Sequence, residues 1–303
     1  MTIEHVPVMI DQVLEQFDSI DRFELLLDGT LGLGGYSEAI LDRFQDVRVI
    51  GVDQDPYAIE IASSRLARFG DRFIPVMDNF SNISGIVGGL GFDHVDGIVF
   101  DLGISNMQIT VPERGFSFRE NGPLDMRMDG GRQDGISAGE MINQLSAPEL
   151  SDIFRVYGEE RHSWMIAKGI VRFREKFGPI LDTFSLVEAI RSSLPAPAMR
   201  KAKGHPARKV FQALRIVVNG EMEALKEGLD GAIEVISPGG VIVVVGYHSL
   251  EDRIVKWKFR EWKDETEGTI MTRKALLPSE EEVERNPKSR SAKLRAFMAN
   301  IPM

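Results

Sequence analysis

The chain has no cysteine among its 303 residues. This absence excludes disulfide bonds, zinc sites built on thiolates and enzymes with a cysteine nucleophile. Long hydrophobic runs are missing too, because the longest purely apolar run, Val241–Val245, is far too short to span a bilayer. The opening residues Met1–Pro7 lack the basic and apolar regions of a signal peptide. We therefore expect a cytoplasmic protein with no membrane partner.

The chain has fewer basic than acidic residues. The chain has 36 lysines and arginines against 46 aspartates and glutamates, which gives a formal net charge of −10. This balance argues against a sequence-blind nucleic-acid binder, although a specific binder needs only local positive surface. Two stretches run against the acidic average, Arg200–Lys209 and Arg285–Arg295. Each stretch alone also fits an ordinary solvated surface.

A glycine-rich turn between two apolar runs is the most informative feature that is present. Leu25–Leu27 ends in Asp28 and leads into the turn Gly29–Gly35, and a second apolar run then ends in Asp53. An open α/β sheet builds a nucleoside pocket in this way, outside the carboxyl ends of its strands. The glycines let the backbone approach a ligand, and the second acid can hold ribose hydroxyls. An ordinary strand-turn-helix corner that binds nothing is the alternative.

The turn matches neither of the common phosphate-binding motifs. Ser37 stands where the dinucleotide fingerprint G-x-G-x-x-G needs its last glycine, and no lysine follows the glycines as a P-loop requires. Asp28, Asp53 and Asp55 crowd the expected pocket, so a cation suits it better than a pyrophosphate. S-adenosylmethionine has a ribose and a sulfonium cation but no phosphate, and it is the ligand that fits these residues best. The sequence offers no obvious metal-ligand cluster.

Strand and helix patterns alternate in the first hundred residues, which predicts βαβ units and a parallel sheet. Strands are predicted at Leu25–Leu27, Val47–Val52, Arg72–Val76 and Gly97–Phe100, and helices at Glu38–Phe44 and Pro56–Phe69. Residues 102–137 read as a long loop, and helices follow at Ala147–Tyr157, Ser163–Phe177 and Thr183–Ser193. The sheet pattern returns with one long helix over about 207–236, the strand Val241–Val245, and a final strand pair within 269–277 and 293–299.

The predicted fold is therefore a Rossmann-like α/β sheet, expected to bind S-adenosylmethionine and split by an all-helical insertion. The sheet domain comprises residues 1–108 and 207–303, and the loop with the helical insertion comprises 109–206. The domain needs both halves of the chain because its strands flank the insertion.

Two further residues are candidates for chemistry. Asp101 ends the fourth predicted strand, which lies beside the first in such sheets, so it should face the ligand crevice. The Pro-Pro-aromatic sequence that often follows this acid in amino-group methyltransferases is absent, and Asp101 could instead cap a turn. His248 follows the buried strand Val241–Val245 and is a candidate substrate or catalytic residue, with simple turn packing as its alternative. Ser249 and Asp252 match a helix capping box.

Eight blocks run in order along nearly the whole chain: His5–Val8, Asp28–Thr30, Arg114–Phe118, Gly122–Asp129, Tyr157–Arg161, Phe211–Ile216, His248–Arg253 and Arg290–Arg295. Together they resemble the bacterial 16S ribosomal RNA cytosine-N4 methyltransferases, the RsmH or MraW family. The resemblance implies methylation of N4 of a cytosine in the decoding centre of the small ribosomal subunit, with 16S ribosomal RNA as partner. It also places the S-adenosylmethionine contacts on Gly34, Gly35, Tyr36, Asp53, Phe80, Asp101 and Gln108.

For the acceptor, a cytosine amino group is a poor nucleophile because its lone pair is delocalised into the ring. The Asp101 carboxylate, the Ser105 hydroxyl and the Asn106 carbonyl are candidates to bond its hydrogens. Three positions depart from the family pattern: Tyr36 stands where many members have histidine, Asn106 where many have a second serine, and Tyr247 where phenylalanine is frequent. We expect altered contacts rather than lost activity, and we expect the Tyr247 change to add only a hydroxyl.

Two other functions remain open at this point, a methyltransferase for a protein or small molecule and a ribosome-assembly factor that binds the cofactor without catalysis. The helical insertion and the basic stretch Arg200–Lys209 favour a macromolecular target and are expected to face the RNA. The presence of the acids Asp28, Asp53 and Asp101 argues against a site that has lost catalytic activity. The sequence leaves open a homodimer, and whether free RNA or an assembled subunit is the substrate.

Overall fold

The computed structural model describes residues 7–131, 135–195 and 204–300. The chain divides into two compact units. The first, here called the sheet unit, comprises Met1–Gly103 and Met222–Met303, and the second, the helical unit, comprises Ile104–Glu221. In the described ranges no helix combines the length and the apolar character that crossing a membrane requires.

The sheet unit is built on a seven-stranded mixed sheet. Its strands are β1 (Leu25–Asp28), β2 (Arg48–Asp53), β3 (Phe73–Met77), β4 (Val95–Asp101), β5 (Ile236–Gly246), β6 (Gly268–Ile270) and β7 (Lys293–Ala299). The spatial order is β3-β2-β1-β4-β5-β7-β6. β1 to β5 are parallel, and β7 runs antiparallel to both β5 and β6. The predicted α/β class, the parallel core and the final strand pair are confirmed.

Strand order reverses between β1 and β4. The chain moves outward from β1 to β3 and then returns to pair β4 with β1, in the register Leu27 to Ile98 and Asp28 to Val99. Ligands of open α/β sheets bind outside the carboxyl ends of the strands at such a reversal. Asp28 and Asp101 are the last residues of these two strands.

Helices are numbered along the described chain: α1 (Ile10–Phe17), α2 (Gly35–Arg43), α3 (Pro56–Leu66), α4 (Ile83–Gly89), α5 (Asn106–Thr110), α6 (Ala138–Gln144), α7 (Ala147–Val156), α8 (Ser163–Phe177), α9 (Thr183–Ser193), α10 (Arg208–Val218), α11 (Glu221–Val235), α12 (Ser249–Asp264) and α13 (Glu280–Arg285). Apolar side chains of the sheet-unit helices pack against both faces of the strands. Residues 241–245 of β5 are at most 1% exposed, as a β-branched strand covered on both faces must be.

The predicted long helix over 207–236 is wrong, because the chain breaks between α10 and α11. Gly220 has a φ of +58°, which a continuous right-handed helix does not allow. The Asn219 side chain fixes this break, donating to the carbonyls of Met126 and Arg215 and accepting from the Met128 N–H, each at 2.8 Å. The apolar rhythm continues across both helices, so periodicity alone does not reveal a single left-handed residue.

The helix α10 belongs to the helical unit, so the limits of the two units differ from the predicted ones. Its side chains Val210, Phe211 and Leu214 are buried in the core of the helical unit, whereas the sequence assigned them to the sheet domain. The compact units divide at 103/104 and 221/222, not at 108/109 and 206/207. An amphipathic pattern shows that a helix has a buried face, but not which core covers that face.

The segment predicted as a long loop, residues 102–137, is not featureless in its described part, 102–131 and 135–137. It contains α5 and a 3₁₀ turn at Pro112–Arg114. The Arg114 guanidinium donates to the carbonyls of Arg127 and Met128 at 3.1 and 2.8 Å, which folds the segment back on itself. Its apolar side chains, Phe116, Leu124, Met126 and Met128, belong to the core of the helical unit. The segment thus gains its order from side-chain burial rather than from regular structure.

Candidate active site at the carboxyl ends of the strands

Asp28 closes the glycine loop from inside the protein. It is fully buried, and its carboxyl accepts hydrogen bonds from the Ser37 hydroxyl at 2.7 Å and the Thr30 N–H at 3.2 Å. Ser37 lies in the first turn of α2, so one side chain joins the two ends of the loop. Asp55 is fully buried too and caps α3, accepting from the Tyr57 N–H at 3.1 Å. The expectation that three acids crowd the pocket is therefore wrong for Asp28 and Asp55, which are buried and bind groups of the protein itself.

The glycines of the loop are required by geometry. Gly32 and Gly34 have φ values of +52° and +79°, and Gly34 is the residue before α2. A Cβ on Gly34 would lie 3.1 Å from Leu66, and one on Gly29 would lie 2.6 Å from Phe100. Gly35 is the first residue of α2. The loop thus presents backbone rather than side chains, which suits the close approach of a nucleoside.

Asp53 fastens the same loop from β2. Its Oδ2 accepts from the Gly32 N–H at 2.8 Å, and its Oδ1 accepts from the Asp55 N–H at 2.9 Å. Unlike Asp28, Asp53 is only partly buried. Asp53 also ends β2 about twenty residues after the glycine loop, the position at which an acid binds ribose hydroxyls in such sheets.

An aromatic ring flanks the loop. Phe80 packs edge-on against Phe100, with ring centroids 5.4 Å apart and an interplanar angle of 60°. Its Cβ lies 3.4 Å from the position that a Cβ on Gly29 would take. Phe80 is partly buried and provides an apolar surface beside the glycines.

Asp101 is placed where the sequence put it, at the carboxyl end of β4. Its N–H donates to the Thr30 hydroxyl at 2.6 Å, and its Oδ1 accepts from the Tyr247 hydroxyl at 2.6 Å. Within the described chain, no group donates a hydrogen bond to Oδ2 of Asp101. Sequence reasoning missed both Thr30 and Tyr247 as partners, because no local pattern links residues so far apart.

Burial changes the acidity of these carboxyls. It raises the pKa of Asp101 to about 7, with the charges of Asp28 and Glu251 adding to the effect and the Tyr247 hydroxyl opposing it. Burial likewise raises the pKa of Asp28 to about 6, against the hydrogen bonds from Ser37 and Thr30. The folded protein therefore holds more protons than the unfolded chain between pH 4 and 7, roughly, so these two groups lower stability as the pH rises through that range. A bound cation would offset this cost.

Tyr36 does not offer its hydroxyl to a ligand. It is 4% exposed, and its hydroxyl donates to the Val8 carbonyl. Burial, with the nearby charges of Asp101 and Asp28, raises the pKa of Tyr36 well above its ordinary value. The phenol thus holds the N-terminal segment, and the cofactor contact that the resemblance implies at this position stays a prediction. His5 and Val6 of that segment lie outside the described residues.

His248 is a helix cap. Its Nδ1 accepts from the Glu251 N–H at 3.3 Å, while Glu251 Oε2 accepts from the Tyr247 and His248 N–H groups at 2.7 and 3.0 Å. The buried His248 Nε2 lies 3.1 Å from Glu251 Oε1 but is not aligned for a hydrogen bond. The capping box is thus His248 with Glu251, not Ser249 with Asp252. Asp252 instead pairs with Lys293 and Arg295 at 3.1 and 2.8 Å.

Ser105, Asn106 and Gln108 lie together at the start of α5 in the helical unit. The Ser105 hydroxyl accepts from the Gln108 N–H, and Gln108 Oε1 accepts from the Ser105 N–H, both at 3.2 Å. Asn106 is the first residue of α5, and its side chain lies outside the described part of the structure. The pattern S-x-x-Q signals such a helix start, and sequence reasoning passed over it.

Comparison with known proteins identifies the family. Residues 2–300 match the MraW methylase family. The chain belongs to this family. It is 47% identical over 311 residues to the Ribosomal RNA small subunit methyltransferase H of Carboxydothermus hydrogenoformans, covering 98% of each chain. Proteins of the same name from Nocardioides sp. and Heliobacterium modesticaldum are each 43% identical, over 309 and 313 residues, with coverage of 97% and 98% of this chain and 96% and 98% of theirs. The predicted family is confirmed, and with it a methyltransferase that uses S-adenosylmethionine.

We predict that Asp53→Ala weakens S-adenosylmethionine binding by about ten- to a hundredfold, the cost of losing a charged hydrogen bond of about 1.5–3 kcal/mol. Isothermal calorimetry measures the affinity, and circular dichroism reports whether the loop and fold persist. Asp71→Ala, at an exposed position outside the loop, is the matched control. Unchanged affinity in a folded Asp53→Ala protein would show that this carboxylate holds only the backbone.

Proposed function

We propose that this protein transfers a methyl group from S-adenosylmethionine to N4 of a cytosine in the decoding centre of 16S ribosomal RNA, in the bacterial cytoplasm. The relatives, named for ribosomal RNA of the small subunit, support ribosomal RNA as the acceptor. Cytosine N4 and the decoding centre are what the resemblance of the eight sequence blocks to the RsmH or MraW family implies. The observation that carries the chemistry is the Asp101 carboxylate at the strand reversal, with one oxygen bound to Tyr247 and no described donor on the other.

The residues at the strand ends fit the cofactor. Gly32 and Gly34 keep side chains out of the loop, Asp53 supplies acceptors for ribose hydroxyls, and Phe80 supplies an apolar face. When bound, S-adenosylmethionine supplies a methyl group already activated on a sulfonium. The protein's task is then alignment of the acceptor rather than activation of the methyl group.

Asp101 can make a cytosine amino group a better nucleophile. An ionised Oδ2 accepts a hydrogen bond from the amino group, which favours a pyramidal nitrogen with a localised lone pair. The same oxygen can take the proton that the nitrogen loses after methylation, since its pKa of about 7 lies near neutral pH. We assign no part in this step to His248, because its imidazole caps α12.

The helical unit supplies a surface for RNA. Trp164, Lys168, Arg172 and Lys176 recur every fourth residue along α8, so neighbours lie about 6 Å apart. We call this row the α8 stripe. Its four side chains are exposed, while Ile166, Ala167 and Ile170 on the opposite side of the helix are buried.

The three cations of the α8 stripe form no close ion pair with the described acidic residues. No carboxylate of the described residues lies within 4.0 Å of its three cations. The Lys168 ammonium lies 5.6 Å from the centroid of the Trp164 ring, which is 51% exposed. Exposed cations beside an exposed aromatic ring suit phosphates and unstacked bases. Of the basic stretch predicted to face RNA, Arg200–Lys203 lies outside the described residues, and the Lys209 ammonium donates to the Glu159 carbonyl at 2.7 Å.

We predict that 16S ribosomal RNA from cells lacking this protein loses one methyl group at a single cytosine, as mass spectrometry of nuclease fragments will show. Wild-type protein should restore the methyl group. Asp101→Ala should lower the single-turnover rate about a hundredfold at saturating cofactor, because the acceptor loses its hydrogen-bond partner and proton acceptor. Asp101→Asn, which keeps the size of the side chain but removes its carboxylate, serves as the size-matched variant for the same measurement.

Two outcomes would contradict this proposal. Unchanged RNA fragments in the deletion strain would show that the acceptor is another molecule. A normal saturated rate in Asp101→Ala, with only cofactor affinity reduced, would make Asp101 a binding residue and leave the chemical step to other groups.

We predict that replacing Lys168, Arg172 and Lys176 with glutamine weakens binding to small ribosomal subunits and reduces the slope of log affinity against log salt by about 2. Cofactor affinity should not change. The triple glutamine variant of Lys263, Arg273 and Lys274, exposed cations of the sheet unit, makes the same change in net charge. An equal loss in both variants would reveal a general charge effect, and an unchanged salt slope would show that RNA binds elsewhere.

A further inference from the structure

Tyr247 is held at both ends beside Asp101. It follows β5 directly, and its N–H donates to Glu251 Oε2 at 2.7 Å. A Cβ on Gly103 would lie 3.6 Å from Cδ2 of its ring, so the chain beyond β4 passes close to the ring. Its hydroxyl donates to Asp101 Oδ1 at 2.6 Å, the length of a charge-assisted bond. We expected the change from phenylalanine to tyrosine to add only a hydroxyl, but that hydroxyl is bonded to a candidate catalytic carboxyl.

We propose that Tyr247 is a positioning residue, whose hydroxyl fixes Asp101 by Oδ1 and so presents Oδ2 to the acceptor. The inference rests on the proposed role of Asp101. A carboxylate held by one oxygen loses its freedom to rotate, and its other oxygen keeps a set direction. The backbone on the other side of Asp101 is fixed as well, because its N–H donates to the Thr30 hydroxyl.

The same hydroxyl controls the charge of Asp101. The groups that act on this carboxyl are Asp28 at the end of β1, Glu251 on α12, the buried phenol of Tyr36 on α2, and Tyr247 itself. The two carboxyls and burial all raise the pKa of Asp101, and only the Tyr247 hydroxyl lowers it. Without that donor, less Asp101 would be ionised at neutral pH.

Tyr247→Phe isolates the hydroxyl, because it keeps the ring that packs against the chain. In the unliganded protein, a ¹³C-carboxyl NMR titration should show the midpoint of Asp101 rising by about one unit, since a charge-assisted hydrogen bond changes proton affinity about tenfold. The pH profile of the single-turnover rate should move by the same amount, so the rate falls several-fold at pH 7. It should recover only in part at higher pH, because the ionised Asp101 still lacks the bond that positions it. Asp101→Asn should abolish the effect of Tyr247→Phe.

Tyr57→Phe is the control, because this tyrosine is 63% exposed on α3 and lies outside the site. It should leave both the titration and the pH profile unchanged. A rate loss in Tyr247→Phe that is equal at every pH, with an unmoved titration midpoint, would reduce Tyr247 to packing and overturn the proposal. The titration needs no acceptor, so it stays informative even if the methylated molecule proves not to be ribosomal RNA.

Discussion

The hydrogen bonds that Asp28 accepts inside the protein are the constraint on which the site depends. The Asp28 carboxyl accepts hydrogen bonds from the Ser37 hydroxyl at the start of α2 and from the Thr30 N–H. The Thr30 hydroxyl in turn accepts a hydrogen bond from the Asp101 N–H. The glycine loop is thereby fastened to β1 and to β4 at the reversal of strand order. Asp101 and Tyr247 extend this network to the end of β5. Loop shape and acceptor geometry therefore depend on one buried carboxyl.

Much of this architecture could be predicted from local sequence. Apolar runs ending in Asp28, Asp53 and Asp101 located three strand ends, because parallel strands buried on both faces are continuous in their hydrophobicity. The neighbouring positions of β1 and β4 followed from the rules of open α/β sheets. The limits of α8 and α9 were predicted to the residue, since each has a clear apolar face and a distinct end.

The errors share a physical cause, which is that side-chain direction is a tertiary property. Asp28 and Asp55 read as ligand-facing acids, yet both point into the protein. The bond from the Tyr36 hydroxyl to the Val8 carbonyl was likewise not indicated by the local sequence. The bond from Tyr247 to Asp101 joins residues far apart in the chain, and no spacing rule indicates it.

The most direct test of this account compares S-adenosylmethionine with S-adenosylhomocysteine, which lacks the sulfonium charge, by calorimetry between pH 5.5 and 8.5, roughly. Because the pKa of Asp101 is about 7 in the unliganded protein, a cation that favours its ionised form must bind more tightly as the pH rises. We predict about a fivefold gain for S-adenosylmethionine, equivalent to about 1 kcal/mol, and little gain for the neutral product. Asp101→Asn should reduce the difference. Identical pH dependence for both ligands would contradict the view that the Asp101 carboxyl at the end of β4 favours a cationic cofactor.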